Sequence, residues 1–255
     1  MIGTMPRTRF LASVRSAEEA AIALAGGADI IDAKEPAEGA LGAVPMAELS
    51  AILRAVAGRR PVSATVGDCP LDEAADRVAA TAATGVDYVK IGFFGNASAD
   101  ALARLNHCAA RGTRLIAVLF ADCTPQWELI PRLAALRFSG VMLDTAAKGQ
   151  GGLLNHLDKT DLVRFIAEAR SRGLIAGLAG SLTREDASAL LPLRPDVLGF
   201  RGALCSGGSR AQSLDGEQVR AMRALIPLLP SLDERGSSRL VSATARPSKC
   251  EGKPA

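Results

Sequence analysis

The sequence predicts an α/β fold, a single (β/α)8 TIM barrel, and three observations carry that reading. Short apolar runs alternate with helix-patterned segments about eight times, joined by short connections. Aromatic residues make up only 4% of a chain that is 48% hydrophobic. The core must therefore be built from Ala, Leu, Val and Ile, which suits a parallel sheet covered by helices. Gly27-Ala28-Asp29-Ile30, Gly85-Val86-Asp87-Tyr88 and Gly140-Val141-Met142-Leu143 form a near-repeat, each a helix end turning into a strand. The rival, an open doubly wound sheet, calls for a G-x-G-x-x-G or similar phosphate loop after the first strand, and none is there.

Taken in order, Phe10 to Val14 reads as the first strand. Ser16-Ala17-Glu18-Glu19 is a capping box opening a helix to Ala25, and Gly26-Gly27 supplies its stop. Ala28 to Lys34 is the second strand, and a loop rich in Gly and Pro (35–45) leads to a helix over Met46 to Val56. Pro61 to Asp68 and Leu71 to Thr84 are the third strand and helix; Gly85 to Gly92 and Ser98 to Ala110 are the fourth pair. Leu115 to Phe120 is the fifth strand, followed by a helix over Pro125 to Leu136 with Pro near its first turn. Gly140 to Thr145 is the sixth, with a Gly-rich loop from Lys148 to Leu153 and a helix from Asp158 to Ser171. Leu174 to Ala179 and a short helix from Thr183 come next, then Asp196 to Arg201 and a closing helix over Asp215 to Leu229. The barrel is thus expected over 1–230. From Ser231 the apolar period stops, which reads as a disordered tail over 231–255.

The totals exclude several classes. A net charge of +3, with no basic run interleaved with aromatics, argues against a nucleic-acid partner. Five cysteines without a C-x-x-C, and only two histidines, argue against a zinc cluster and for free thiols in a reducing cytosol. Phe10 to Val14 is too short for a signal-peptide core, and nothing reaches membrane-spanning length. A cytoplasmic protein with no membrane partner is the expectation; Ala/Leu-rich helix faces permit a homo-oligomer without specifying one.

The lysines point to chemistry. The 30 basic residues include only six lysines, at 34, 90, 148, 159, 249 and 253. Lys34 and Lys90 end apolar strands and Lys148 closely follows a third. An ammonium can lose its proton and form an imine, whereas a guanidinium stays charged. Period-2 alternation puts Ile30, Asp32 and Lys34 on one strand face, Tyr88, Lys90 and Gly92 on another, and Met142, Asp144 and Ala146 on a third. If those faces point inward, Lys34, Lys90, Asp32 and Asp144 meet at the barrel mouth with Lys148 on the adjoining loop. Two lysines in such a mouth depress each other's pKa, leaving one as a neutral nucleophile, and a neighbouring Asp can shuttle protons. Solvated strand-end lysines paired with aspartates are the bland reading, which the clustering in an Arg-preferring chain disfavours.

Gly180 and Ser181 follow the seventh strand, and Arg201, Gly202, Gly207 and Gly208 the eighth. Barrels commonly bind phosphate with backbone N–H groups of these two loops, so a phosphorylated substrate is expected there. Lys148-Gly149-Gln150-Gly151-Gly152 is a second phosphate candidate. His107 reads as a surface helix residue, and His156 sits in a loop from which it could visit the mouth. Cys123 and Cys205 have no apparent His partner. Asp68 and Asp122 are plausible supporting carboxylates.

These residues resemble a known family. Residues 26–36 (GGADIIDAKEP) with Gly39-Ala40-Leu41-Gly42, 62–68 (VSATVGD), 87–92 (DYVKIG), 142–146 (MLDTA), 178–182 (LAGSL) and 200–205 (FRGALC) are similar to the (5-formylfuran-3-yl)methyl phosphate synthases of methanofuran biosynthesis in methanogens and of the related pathway in methylotrophic bacteria. The resemblance runs from about Phe10 to Leu229. It implies a barrel lyase that condenses two molecules of glyceraldehyde 3-phosphate, without metal or organic cofactor, the imine serving as electron sink. It further implies that Lys34 is the Schiff-base lysine, Lys90 the proton acceptor, and Asp144 and Lys148 their partners. The Gly-rich loop after the sixth strand departs from the family pattern, and the tail lies outside the match. On the residues alone, a class I aldolase for another sugar phosphate and a non-catalytic phospholigand-binding barrel stay open.

Overall fold

The computed structural model describes residues 7–95, 97–123, 125–147 and 149–226. Lys148 and the expected tail lie outside the described residues.

Eight parallel strands close into a ring in sequence order: β1 (Arg9–Val14), β2 (Ile30–Ala33), β3 (Val62–Thr65), β4 (Tyr88–Phe93), β5 (Leu115–Phe120), β6 (Gly140–Asp144), β7 (Ile175–Leu178) and β8 (Val197–Phe200). β1 pairs with both β2 and β8, so the sheet has no free edge. Around it run α1 (Ala17–Ala25), α2 (Met46–Val56), α3 (Leu71–Ala82), α4 (Ala99–Ala110), α5 (Leu129–Ala135), α6 (Leu153–His156), α7 (Lys159–Ser171), α8 (Arg184–Leu190) and α9 (Gly216–Leu225).

Alternation along the strands sorts the core into two bodies. Phe10, Ala12 and Val14 of β1, Ile31 and Ala33 of β2, and Val141 and Leu143 of β6 pack outward against the helices. Leu11, Ile30, Val118, Phe120, Met142 and Val197 fill the barrel itself. Met142 has room there because Gly177 and Gly199 carry no side chain; a Cβ on either would come within 3.1 Å of it. The inner face of β2 is thus Ile30, Asp32 and Lys34, as the two-residue period predicts.

Three local differences stand out, two of them with a clear physical cause. α5 starts at Leu129 rather than Pro125. A helix begun at 125 would hold Pro131 in its interior, where the ring clashes with the carbonyl four residues back; starting at Leu129 puts it in the first turn. The loop after β6 contains the short helix α6, ending at His156. The capping box of α1 is half formed: Ser16 Oγ accepts the Glu19 N–H at 3.3 Å. The Glu19 carboxylate instead accepts from Arg15 N–H, Leu214 N–H and the Arg201 guanidinium.

The ring is clasped at its base. Asp29, just before β2, accepts from the Phe10 N–H at 2.9 Å, from Arg223 of α9 at 2.7 Å, and from Arg7. Burial alone would raise its pKa, but those donors outweigh it and hold the carboxyl below its ordinary value. No helix among the described residues is long and apolar enough to cross a membrane.

Candidate active site

A cavity of about 410 Å³ opens at the C-terminal ends of the strands. That size and position suit a small-molecule site in a barrel. Lys34, Lys90 and Asp144 line it, with Leu11 and Met142 at its floor.

Asp32 is fully buried below the lysines. Strand register supplies its partners: Ser13 and Ser63 stand directly beside it on β1 and β3. Ser63 Oγ donates to Oδ1 at 2.6 Å, and Ser13 Oγ donates to Oδ2 at 2.9 Å. Lys90, reaching in from β4, donates to the same Oδ2 at 2.9 Å. Lys90 makes no second hydrogen bond among the described residues, so its remaining N–H groups face the cavity it lines.

Lys34 follows β2, and its backbone N–H extends the ladder to the Val14 carbonyl at 2.9 Å. Its ammonium lies 3.3 Å from Asp144 Oδ2, and both groups are buried. Asp144 Oδ1 accepts the Thr145 N–H at 2.7 Å, which fixes the carboxylate plane. Both lysines therefore enter the mouth, but each faces a carboxylate of its own. The inward faces alone leave open which aspartate holds which lysine; the pairs are Asp32–Lys90 and Asp144–Lys34.

The adjoining loops are held by carboxylates. Asp68, after β3, accepts the N–H groups of Ala40 and Leu41 at 2.8 and 2.7 Å and pins the loop that follows Lys34. Thr65 Oγ1 donates to Gly42 O at 2.8 Å in the same loop. Asp122 accepts the N–H groups of Ala146 and Ala147 at 2.8 and 2.7 Å and so holds the loop after β6. Burial works to raise the Asp122 carboxyl, and these two donors bring it below its ordinary value. His156 ends α6 and does not line the cavity, and His107 lies on α4. Burial raises the Cys205 thiol, consistent with a packed residue rather than a nucleophile.

Gly180, Ser181, Arg201, Gly202 and Gly208 line the β7–β8 side of the cavity; Gly207 does not. Gly180 and Ser181 hold φ of 106° and 50°, a left-handed pair unusual for a serine. Among the described residues, the N–H groups of Gly180, Ser181, Gly202 and Ala203 meet no acceptor. Backbone N–H groups left open beside one cavity are suited to an anion. Among the described residues, no three His, Cys, Asp or Glu side chains converge as metal ligands.

Sequence reasoning overlooked Ser13, Ser63, Glu19 and Arg210. The serines carried a signal, being small polar residues on the inward period of two neighbouring strands. Glu19 reads as part of a helix cap, and Arg210 closes the Ser206–Arg210 stretch after the eighth strand without a role of its own.

Comparison with solved structures returns the same architecture at low identity. Phosphoribosyl anthranilate isomerase from Thermus thermophilus superposes with a TM-score of 0.62 at 18% identity, covering 86% of this chain and 98% of that one. 3-Hexulose-6-phosphate synthase from Salmonella typhimurium gives 0.61 at 14%, covering 84% and 98%. These show the fold alone. Sequence relatives are nearer. A protein of Methylorubrum extorquens provisionally named (5-formylfuran-3-yl)methyl phosphate synthase is 45% identical over 222 residues, 86% of this chain and 93% of its own. The (5-formylfuran-3-yl)methyl phosphate synthase of Methanopyrus kandleri is 37% identical over 218 residues, 80% of this chain and 92% of its own. The model of the 4-HFC-P synthase family matches residues 10–223, which is the whole ring with both lysines, both aspartates and the β7–β8 loops. The chain is an enzyme, and it belongs to the 4-HFC-P synthase family.

Proposed function

We propose that this enzyme is a cytoplasmic lyase that condenses two molecules of glyceraldehyde 3-phosphate into (5-formylfuran-3-yl)methyl phosphate for methanofuran-type cofactor synthesis. One observation carries the proposal: two buried lysines converge on a single cavity, each held by its own inward aspartate. Names of the relatives supply the product, and the chemistry of lysine supplies the route.

Lys34 passes a proton to Asp144, and the neutral amine attacks the aldehyde of the first triose. Loss of water from the carbinolamine leaves an imine, which acidifies the adjacent carbon. Lys90, once its own proton has passed to Asp32, takes up that proton as a neutral amine and leaves an enamine. The enamine carbon attacks the aldehyde of the second triose and forms the new carbon–carbon bond. Elimination of one phosphate, ring closure and dehydration complete the furan. The atoms balance: two trioses give the product, one phosphate and two waters.

In this reading Lys148, next in sequence after Ala147, joins Asp144 in handling protons. The N–H groups of Gly180, Ser181, Gly202 and Ala203 cradle a phosphate, Gly207 and Gly208 shape the same loop, and Arg201 adds positive charge behind it.

Borohydride reduction in the presence of glyceraldehyde 3-phosphate, followed by peptide mapping, tests the route. The expected result is a covalent adduct on Lys34, absent in Lys34→Arg. An unmodified Lys34 in an active enzyme would sink it. Glyceraldehyde 3-phosphate as sole substrate should also yield a furan chromophore, which an aldolase for another sugar phosphate would not produce.

A further inference from the structure

We propose that Arg210 binds the phosphate of the triose that forms the imine on Lys34. This deepens the preceding reading and rests on it.

Two arginines follow β8, and they differ in how their donors are used. All five N–H groups of Arg201 are engaged. Nε donates to Arg210 O at 3.1 Å; Nη1 donates to Ser13 O at 3.2 Å and to Glu19; Nη2 donates to Glu19 at 3.1 Å and Gln212 O at 2.8 Å. Arg201 is therefore a brace, and one of the things it braces is the backbone of Arg210. Arg210 uses Nη2 alone, donating to the carbonyls of Pro36 at 2.7 Å and Gly39 at 3.1 Å. Its Nε and Nη1 meet no acceptor among the described residues, and the side chain lines the cavity.

Charge makes the same distinction. Lys34 faces Asp144, Lys90 faces Asp32 and Arg201 faces Glu19, each as a direct ion pair. Arg210 bonds only neutral carbonyls. Its guanidinium is pressed below its ordinary pKa by burial, with Asp144 drawing it back up from across the cavity. An incoming phosphate can pair with Arg210 without separating an existing ion pair. Arg184 also lines the cavity, but on its exposed rim beside Glu185.

Position selects which triose. Pro36 and Gly39 belong to the loop that begins one residue after Lys34, so Arg210 sits beside the imine-forming lysine. In glyceraldehyde 3-phosphate the ester carbon is two carbons from the aldehyde, within reach of such a neighbour. The two open N–H bonds of Nη1 can reach phosphate oxygens while Nη2 keeps its loop carbonyls, a division between ligand and loop that the single nitrogen of a lysine in its place would not hold in the same geometry.

Borohydride trapping rates on Lys34 with glyceraldehyde 3-phosphate and with unphosphorylated glyceraldehyde test the assignment. The wild type should favour the phosphorylated triose, and that ratio should fall at least tenfold in Arg210→Gln and less in Arg210→Lys. Thermal melting establishes that each variant folds; Arg210→Lys, which keeps the charge, carries the comparison if Arg210→Gln does not. An unchanged ratio, or equal loss of trapping with both trioses, would overturn the proposal and leave Arg210 as a loop tie. No adduct in the wild type with either triose would instead refute the imine on Lys34, a distinct outcome.

Discussion

The carboxylate of Asp32 holds the ammonium of Lys90 at 2.9 Å and leaves Lys34, two residues along its own strand face, to Asp144. Asp32 thereby becomes the fixed end of a buried network of two serines and a lysine. Asp32→Ala would strand a positive charge inside the barrel. Breaking one partner of such a pair costs about 3–5 kcal/mol. Chemical denaturation should show a loss of that order, and an unshifted midpoint would mean that the Asp32–Lys90 pair does not support the fold.

Lys90 and Lys34 should separate kinetically. Replacing Lys90 by Met removes the group assigned to proton transfer and leaves the imine-forming amine in place. Turnover should drop by about 10²–10⁴-fold, the usual contribution of a positioned acid or base. Trapping of substrate on Lys34 should persist. Simultaneous loss of trapping would reverse the two assignments.

Gly180→Ala probes the anion cradle. At φ 106° a Cβ is strained, and it would stand 3.1 Å from both Thr145 N and Thr145 Cγ2. We expect a destabilisation above about 1 kcal/mol. Because Thr145 adjoins Asp144, we also expect a raised KM for the triose phosphate. Steady-state kinetics that match wild type would place the phosphate elsewhere.

Acid stability should trace to Asp29. Its folded pKa is depressed, while the unfolded value is about 3.9. The carboxylate therefore contributes its full stabilisation above about pH 4 and loses it as pH falls through the lower folded value. Asp29→Asn should be less stable near neutrality and should lose less stability below about pH 4. Parallel melting curves for the two proteins across the acid range would contradict this.

The ring and its inward faces were legible because a two-residue period is local: Asp32, Lys34, Lys90 and Asp144 could be assigned to one interior from their own strands. The pairing was not legible. Whether Asp32 meets Lys34 or Lys90 depends on barrel shear, which places Ser63 beside Asp32 and lets β4 reach across. Glu19 misled for a related reason. Its spacing from Ser16 satisfies a helix cap, and only closure of β8 onto β1 brings Arg201 close enough to claim it. Arg210 carried no local signal, since its meaning lies in carbonyls at Pro36 and Gly39 some 170 residues earlier.

That long reach has a consequence for synthesis. A nascent chain that has emerged as far as α8 already contains both lysines and both aspartates. It still lacks β8, whose Gly199 leaves space for Met142, together with Arg201, Arg210 and the Arg223 that grips Asp29. Until then β1 presents an unpaired edge and Glu19 has no guanidinium partner. On the proposed mechanism, a ribosome-stalled or truncated product ending before β8 should carry Lys34 and Lys90 without Arg201, Arg210 or the closed ring around them.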